Sequence, residues 1–315
     1  MPSFVRAGSV LAILSISLLA ACSRKEEAPV AAAPEPAPAA AEPVAAPSSN
    51  VFAFAIGELS AITLLDGNLE LPNDNKVFGV GLEPEDVSEV LTANNLPSDK
   101  LNLTVKPLLV KTADKVLLFD TGAGGNFGPG SGHLLAAMAE AGVDPGSVTD
   151  IFISHAHGDH IGGLVADGKL NFPNATIRLS KPEWAALSKQ DQQAALVAAI
   201  KAKVEAFDPG AELVPGVVKA VEIKGHTPGH SGYLIGTGAD SILYVGDSMH
   251  HYVVSVQKPQ WTIAFDGDSK TATASRVALL NELAASGQRV YAVHFPFPGI
   301  GKMTKQDDSV VWMAE

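Results

Sequence analysis

Residues 155–160, His155-Ala156-His157-Gly158-Asp159-His160, pack three imidazoles and a carboxylate into six positions directly behind the apolar run Ile151-Phe152-Ile153. That density is metal chemistry. Imidazole and carboxylate are the ligands that suit zinc and its first-row neighbours, and a tight turn at a strand end lets alternate side chains converge on one point. With His155 and His157 aimed at one ion, Asp159 and His160 point elsewhere and reach a second. Two divalent ions about 3.5–4 Å apart can clamp an oxygen nucleophile between them.

The run HAHGDH resembles the HxHxDH signature of the metallo-β-lactamase superfamily, and the resemblance extends along the chain. Asp120-Thr121-Gly122 follows the apolar Val116-Leu117-Leu118-Phe119, Gly225-His226-Thr227-Pro228-Gly229-His230 follows a strand-like run, and Asp247 and His294 each close a further apolar stretch. The segment His294-Phe295-Pro296-Phe297-Pro298-Gly299-Ile300-Gly301, with Gln257 and Phe265-Asp266, is most similar to methyl parathion hydrolases and neighbouring lactonases. The similarity covers roughly residues 51–305. It implies an α/β fold of the four-layer αββα sandwich type and two divalent metal ions, zinc by default, with manganese, iron or cobalt tolerated by the same ligands. Carried over residue by residue, it gives His155, His157 and His230 to one metal and Asp159, His160 and His294 to the other, with Asp247 bridging.

The resemblance also implies roles around the metals. Lactonases of this superfamily often carry a tyrosine three residues after the bridging aspartate; here that place holds His250, which becomes a candidate to hydrogen-bond substrate or leaving group near neutral pH. Asp159, Asp247 and His250 are therefore the expected catalytic residues. Asp120, at a strand end, is expected to orient a metal-bound histidine. His226 is expected to pack or hydrogen-bond behind the ligands. Phe127, Trp184, Phe295 and Phe297 are candidates for an apolar substrate wall or, equally, for the core.

Organisation of the rest serves this centre. Met1–Ala21 has a basic residue at Arg6 and an apolar stretch, roughly 7–21, too short to span a bilayer comfortably. It reads as an export signal. Leu19-Ala20-Ala21-Cys22 resembles the bacterial lipobox, which implies a lipid anchor on Cys22, and Ser23 implies sorting to the outer membrane of a Gram-negative envelope. Cys22 is the sole cysteine, so no disulfide forms within the chain. Residues 22–50, rich in Ala and Pro, read as a disordered tether, and 51–315 as the catalytic domain.

Within that domain the patterning gives strands at 51–56 and 60–65, a short helix near 85–94, and strands at 101–111 and 115–120. A strand at 149–154 leads into the ligand loop. Helices follow over 183–206, then strands at 217–224, 233–235 and 241–246, a helix over 270–286 and a strand at 289–293.

With 34 acidic against 22 basic residues and a net charge of −12, the chain has no basic stripe for phosphates, so no nucleic-acid partner is expected. The expected function is hydrolysis of a small apolar ester, whether lactone, aryl ester or organophosphate triester, by a water activated between the two metals. The alternatives are a β-lactamase-type amide hydrolase and an envelope binding lipoprotein whose metals are structural. A homodimer is expected only by analogy with resembling enzymes.

Overall fold

The computed structural model describes residues 49–315. The expected export signal, Cys22 and nearly all of the expected tether lie outside the described residues. Eighteen strands and seven α-helices follow in order: β1(Val51–Ile56), β2(Leu59–Leu64), β3(Gly67–Pro72), α1(Pro84–Ala93), β4(Lys100–Val105), β5(Leu108–Lys111), β6(Val116–Phe119), α2(Leu134–Glu140), β7(Asp150–Phe152), α3(Gly158–Ile161), β8(Val165–Ala166), β9(Lys169–Leu170), β10(Thr176–Ser180), α4(Lys181–Leu187), α5(Ala194–Ile200), β11(Val204–Phe207), β12(Glu212–Val214), β13(Val218–Glu222), β14(Ser231–Ile235), β15(Ile242–Tyr244), α6(Val254–Gln257), α7(Ser269–Ser286), β16(Arg289–Tyr291), β17(Ile300–Gln306) and β18(Ser309–Ala314).

Two seven-stranded sheets run β1-β2-β5-β6-β7-β10-β11 and β12-β13-β14-β15-β16-β17-β18. Three apolar layers separate four layers of structure, which is the expected αββα sandwich. The central layer, including Leu108, Val110, Phe119, Phe152, Tyr233, Tyr244 and Tyr291, joins the two sheets. A second lies between the first sheet and α2, α4 and α5, and a third beneath α7 on the second sheet. Strands β5 and β6 are buried almost throughout because both their faces are covered. Helix α7 starts where the Asp268 side chain accepts the Thr271 N–H (3.1 Å) and ends at Gly287 in the left-handed region, φ 67°.

Three departures from the sequence reading matter. The run 101–111 is two strands, because Pro107 has no N–H for the ladder; β4 leaves the main sheet and pairs with β3. β3, joined to β4 through α1, is a strand the sequence pattern does not mark. The last 16 residues form the hairpin β17–β18, which completes the edge of the second sheet. No helix among the described residues is long and apolar enough to cross a membrane.

Candidate metal centre

The chemistry-bearing residues all follow strands of the two main sheets: Asp120 follows β6, the 155–160 loop follows β7, His226 follows β13, Asp247 follows β15 and His294 follows β16. Where β6 and β7 run parallel, their ends open on the same side. Gly246, at φ 51°, makes the turn into Asp247 possible, since a Cβ there would meet His230 Nε2 at 2.5 Å.

Two donor clusters result, His155, His157, His226 and Asp247 in one and Asp159, His160 and His294 in the other. In the first, His226 Nε2 lies 3.1 Å from His155 Nε2 and 3.0 Å from His157 Nδ1, while Asp247 Oδ2 is 3.4 Å from His226 Nε2 and 3.6 Å from His155 Nε2. In the second, Asp247 Oδ1 is 3.1 Å from His160 Nε2 and 3.0 Å from His294 Nε2, and Asp159 Oδ2 is 3.6 and 3.5 Å from the same two atoms. Ligands about 2.0–2.1 Å from a tetrahedral zinc stand roughly 3.3 Å apart, so these spacings fit the edges of such a shell. His160 Nε2 and Asp247 Oδ1, both buried, have no hydrogen-bond partner. A cation between them satisfies both, and the donor set fits divalent metal on this ground.

Behind each cluster, hydrogen bonds fix which ring nitrogen faces inward. His160 Nδ1–H donates to Asp120 Oδ2 (2.7 Å), whose carboxylate also accepts from Ser154 N and Oγ and from the Tyr244 hydroxyl, all at 2.7 Å. His294 Nδ1–H donates to Thr104 O (2.7 Å), and His226 Nδ1–H to Asp266 Oδ1 (3.0 Å). Glu183, which the sequence reading passed over inside a helix, ties the two histidine loops together: Oε1 accepts from Ala156 N (2.8 Å), and Oε2 accepts from Thr227 Oγ1 (2.8 Å) and Gly229 N (2.9 Å). Asp120 orients a ligand as expected.

His226 and His230 exchange their expected places. His230 Nδ1–H donates to Ile223 O (3.1 Å) and its Nε2 accepts the Asp247 N–H (2.9 Å), so neither nitrogen has a lone pair to give a metal. The third histidine of the first cluster is His226. Trp184 packs against the outer core under α4, and Phe295 is fully buried edge-on to Trp312 at 5.0 Å; both are core residues and not cleft walls. Phe297 stacks edge-on with Phe52. Phe127 and His250 do line the cleft.

Electrostatics divide the imidazoles. Burial holds His155 and His157 below the usual histidine pKa and takes His226 to about 3 and His230 to about 4, which favours the neutral ring in all four and leaves His155, His157 and His226 with a lone pair facing the first cluster. Burial acts the same way on His160 and His294 but is outweighed by Asp247 and Asp159, and both are raised. Asp247 is held well below the usual carboxylate range, because His160 and His294 outweigh its burial. The upward shifts of His160 and His294 mark where the surrounding carboxylates favour positive charge.

The cleft above the clusters measures about 600 Å³. Leu69 and Leu71 of β3, Leu103 of β4, Phe127, Ala264 and Phe265 supply its apolar walls; Asp159, Asp247, His157, His250 and His294 lie at its floor; and among the described residues no lysine or arginine lines it.

The family model of the metallo-beta-lactamase superfamily matches residues 105–294. The chain belongs to that superfamily. Among solved structures it is similar to AidC, a dizinc quorum-quenching lactonase in complex with the product N-hexanoyl-L-homoserine, with 30% identity and a TM-score of 0.79 over 85% of this chain and 98% of that one. It is similar also to the hydrolase AbOPH of the beta lactamase superfamily, at 28% identity and a TM-score of 0.78, covering 86% of this chain and 99% of the other. A probable metal-dependent hydrolase from Staphylococcus aureus shares the fold at 22% identity and a TM-score of 0.69, over 83% and 99% of the two chains. No curated protein matches the chain. This member of the superfamily is thus a hydrolase whose neighbours include lactonases and whose His/Asp clusters could bind metal.

Proposed function

We propose that the chain is a dinuclear metal-dependent hydrolase of small, uncharged, apolar esters: lactones, aryl esters or phosphotriesters. The observation that carries this reading is Asp247, whose two oxygens face two separate donor clusters at the floor of an apolar cleft. His155, His157 and His226 with Asp247 would hold one ion, and Asp159, His160 and His294 with Asp247 would hold the other. Bound there, two divalent cations supply Lewis acidity towards a carbonyl or phosphoryl oxygen and bring the pKa of water towards 7.

The protein's own part is placement and proton handling. Leu69, Leu71 and Phe265 hold the apolar part of the ester and exclude water from it. His250 is buried, neither ring nitrogen has a hydrogen-bond partner, and Nε2 lies 3.2 Å from Asp247 Oδ2. It is placed to hydrogen-bond the substrate and to steady the departing oxygen. In the reaction the oxygen of water bonds to the acyl carbon or phosphorus, the bond to the alkoxide or phenoxide breaks, and that oxygen leaves with a proton.

Among the described residues no lysine or arginine lines the cleft, which favours neutral substrates over β-lactams, whose carboxylate has no basic side chain to meet there, and the bound product of the AidC relative favours lactones among the neutral ones. The reading extends to export and to a lipid anchor at Cys22, supported by the Leu19-Ala20-Ala21-Cys22 run alone. The test is turnover of the zinc-loaded protein on an acyl lactone, an aryl ester, a phosphotriester and a cephalosporin, with and without chelator. Chelator-sensitive turnover of a neutral ester is expected; cephalosporin turnover alone overturns the substrate class, and no turnover of any favours a binding protein.

A further inference from the structure

Arg276 is the largest side chain fully buried in the protein, 1% exposed in the middle of α7. A buried guanidinium is costly to desolvate, and an apolar pair of similar volume stabilises a core as well as an ion pair does. Its contacts show what the charge accomplishes instead. Nη2 donates to Asp266 Oδ2 at 2.5 Å, and the other oxygen of that carboxylate receives the Nδ1–H of His226. Nε donates to Ser248 O at 3.0 Å, the carbonyl next to Asp247, while Nη1 donates to Pro259 O (3.1 Å) and Trp261 O (3.4 Å). One planar fork therefore grips the carboxylate behind a histidine of the first cluster and the turn that carries the residue shared by both clusters. A lysine, with a single point of attachment, cannot span these acceptors.

We infer that Arg276 is a positioning residue of the metal centre, which through Asp266 aligns His226 and through Ser248 holds the Asp247 turn, and so sets the affinity of the first cluster for its ion. The inference rests on the metal-centre reading above. Carboxylates behind a metal-bound imidazole fix its tautomer and direction, and losing one weakens metal binding about 10–100-fold. The second cluster shares Asp247 but has supports of its own, Asp120 behind His160 and Thr104 O behind His294, so it should be weakened less than the first.

The test is Co2+ binding to the whole protein by chelator competition, together with the visible absorption of the bound ion. The double variant Asp266→Asn/Arg276→Met removes both charges, leaving neither unpaired; Arg276→Lys keeps a charge without the fork. Arg178→Met, which breaks the distant pair to Asp150, controls for destabilisation alone. The expected result is that one of two ions binds about 10–100-fold more weakly with an altered spectrum in both site variants, and that both ions bind normally in Arg178→Met. Two ions held as tightly as in wild type, with the wild-type spectrum, in either folded site variant overturn the inference. Should the double variant not fold, Arg276→Lys alone decides it. Failure of the wild-type protein to take up Co2+ overturns the metal-centre reading instead, and this inference with it.

Discussion

A histidine with a hydrogen bond at each ring nitrogen has nothing left for a metal, and His230 is in that state while His226, in the same turn, presents Nε2 to the first cluster. His226→Ala should therefore cost one of two bound ions, measured as metal per chain. His230→Gln should keep both and lower thermal stability by about 1–3 kcal/mol, the usual cost of a buried hydrogen-bonding group left unpaired. His250 makes no such structural bonds, so His250→Phe should keep both ions and lower kcat on a neutral ester by about 10²–10³, the loss seen when one donor to a developing charge is removed; equal kcat would put His250 outside the chemistry. The HAHGDH run, Asp120, Asp247 and His294 were legible because each stands at the end of an apolar run. The choice between His226 and His230 was not, since both share one glycine-rich turn and only three-dimensional bonding separates them. The roles of Glu183 and Arg276 were hidden for a related reason: their partners lie 10 to 46 positions away, and a charged residue in a helix reads as solvated until its burial is seen.

At the scale of elements, the wall of the cleft is the antiparallel pair β3–β4, whose register sets Leu69 opposite Leu103. Leu69 is only partly buried, so Leu69→Ala should leave the fold intact and act on recognition: KM for an ester with a long apolar group should rise about 10-fold, with a smaller change in kcat. The comparison of a long and a short acyl group checks it, since equal KM changes for both would mean that the wall does not contact the chain. Strands bearing ligands were readable from their apolar runs, and β4 fell within the expected strand 101–111; β3 was missed, although Leu69 and Leu71 alternate with Asn68 and Glu70, because two leucines between Gly67 and Pro72 are too short a pattern beside the polar run that follows. Helix α7 was read over 270–286 from an amphipathic pattern, yet its inward face carries Arg276 among Ala272, Leu279, Leu280 and Leu283. An apolar stripe rule cannot anticipate a buried cation whose partners come from two loops.

For the whole molecule, two sheets packed face to face bring loops far apart in sequence to one opening, and the cost is a core edge crowded with neutral histidines. In the metal-free protein, burial keeps His226 and His251 at about 3 and His230 at about 4, with His155 and His157 also lowered. The unfolded chain takes up protons at these positions as pH falls below about 6.5, and the native chain does not, so stability falls. His160 and His294, raised, are protonated in both states below that pH and do not oppose the fall; Asp66 and Glu183, raised by burial, oppose it with two groups against five. The thermal midpoint of the metal-free protein should drop from pH 6.5 to 5, and a flat or rising midpoint would show these histidines to be solvated. The sandwich itself was legible through its motifs and central strands, whereas the β17–β18 edge followed the last motif and carried no chemistry to mark it. The central claim is that two ions, shared through Asp247, perform the hydrolysis. Titrating the metal-free protein with Zn2+ while following turnover of a neutral lactone or aryl ester tests it most directly. Activity that reaches its plateau only at two equivalents per chain is the predicted result; full activity without added metal, or a plateau at one equivalent, would contradict it.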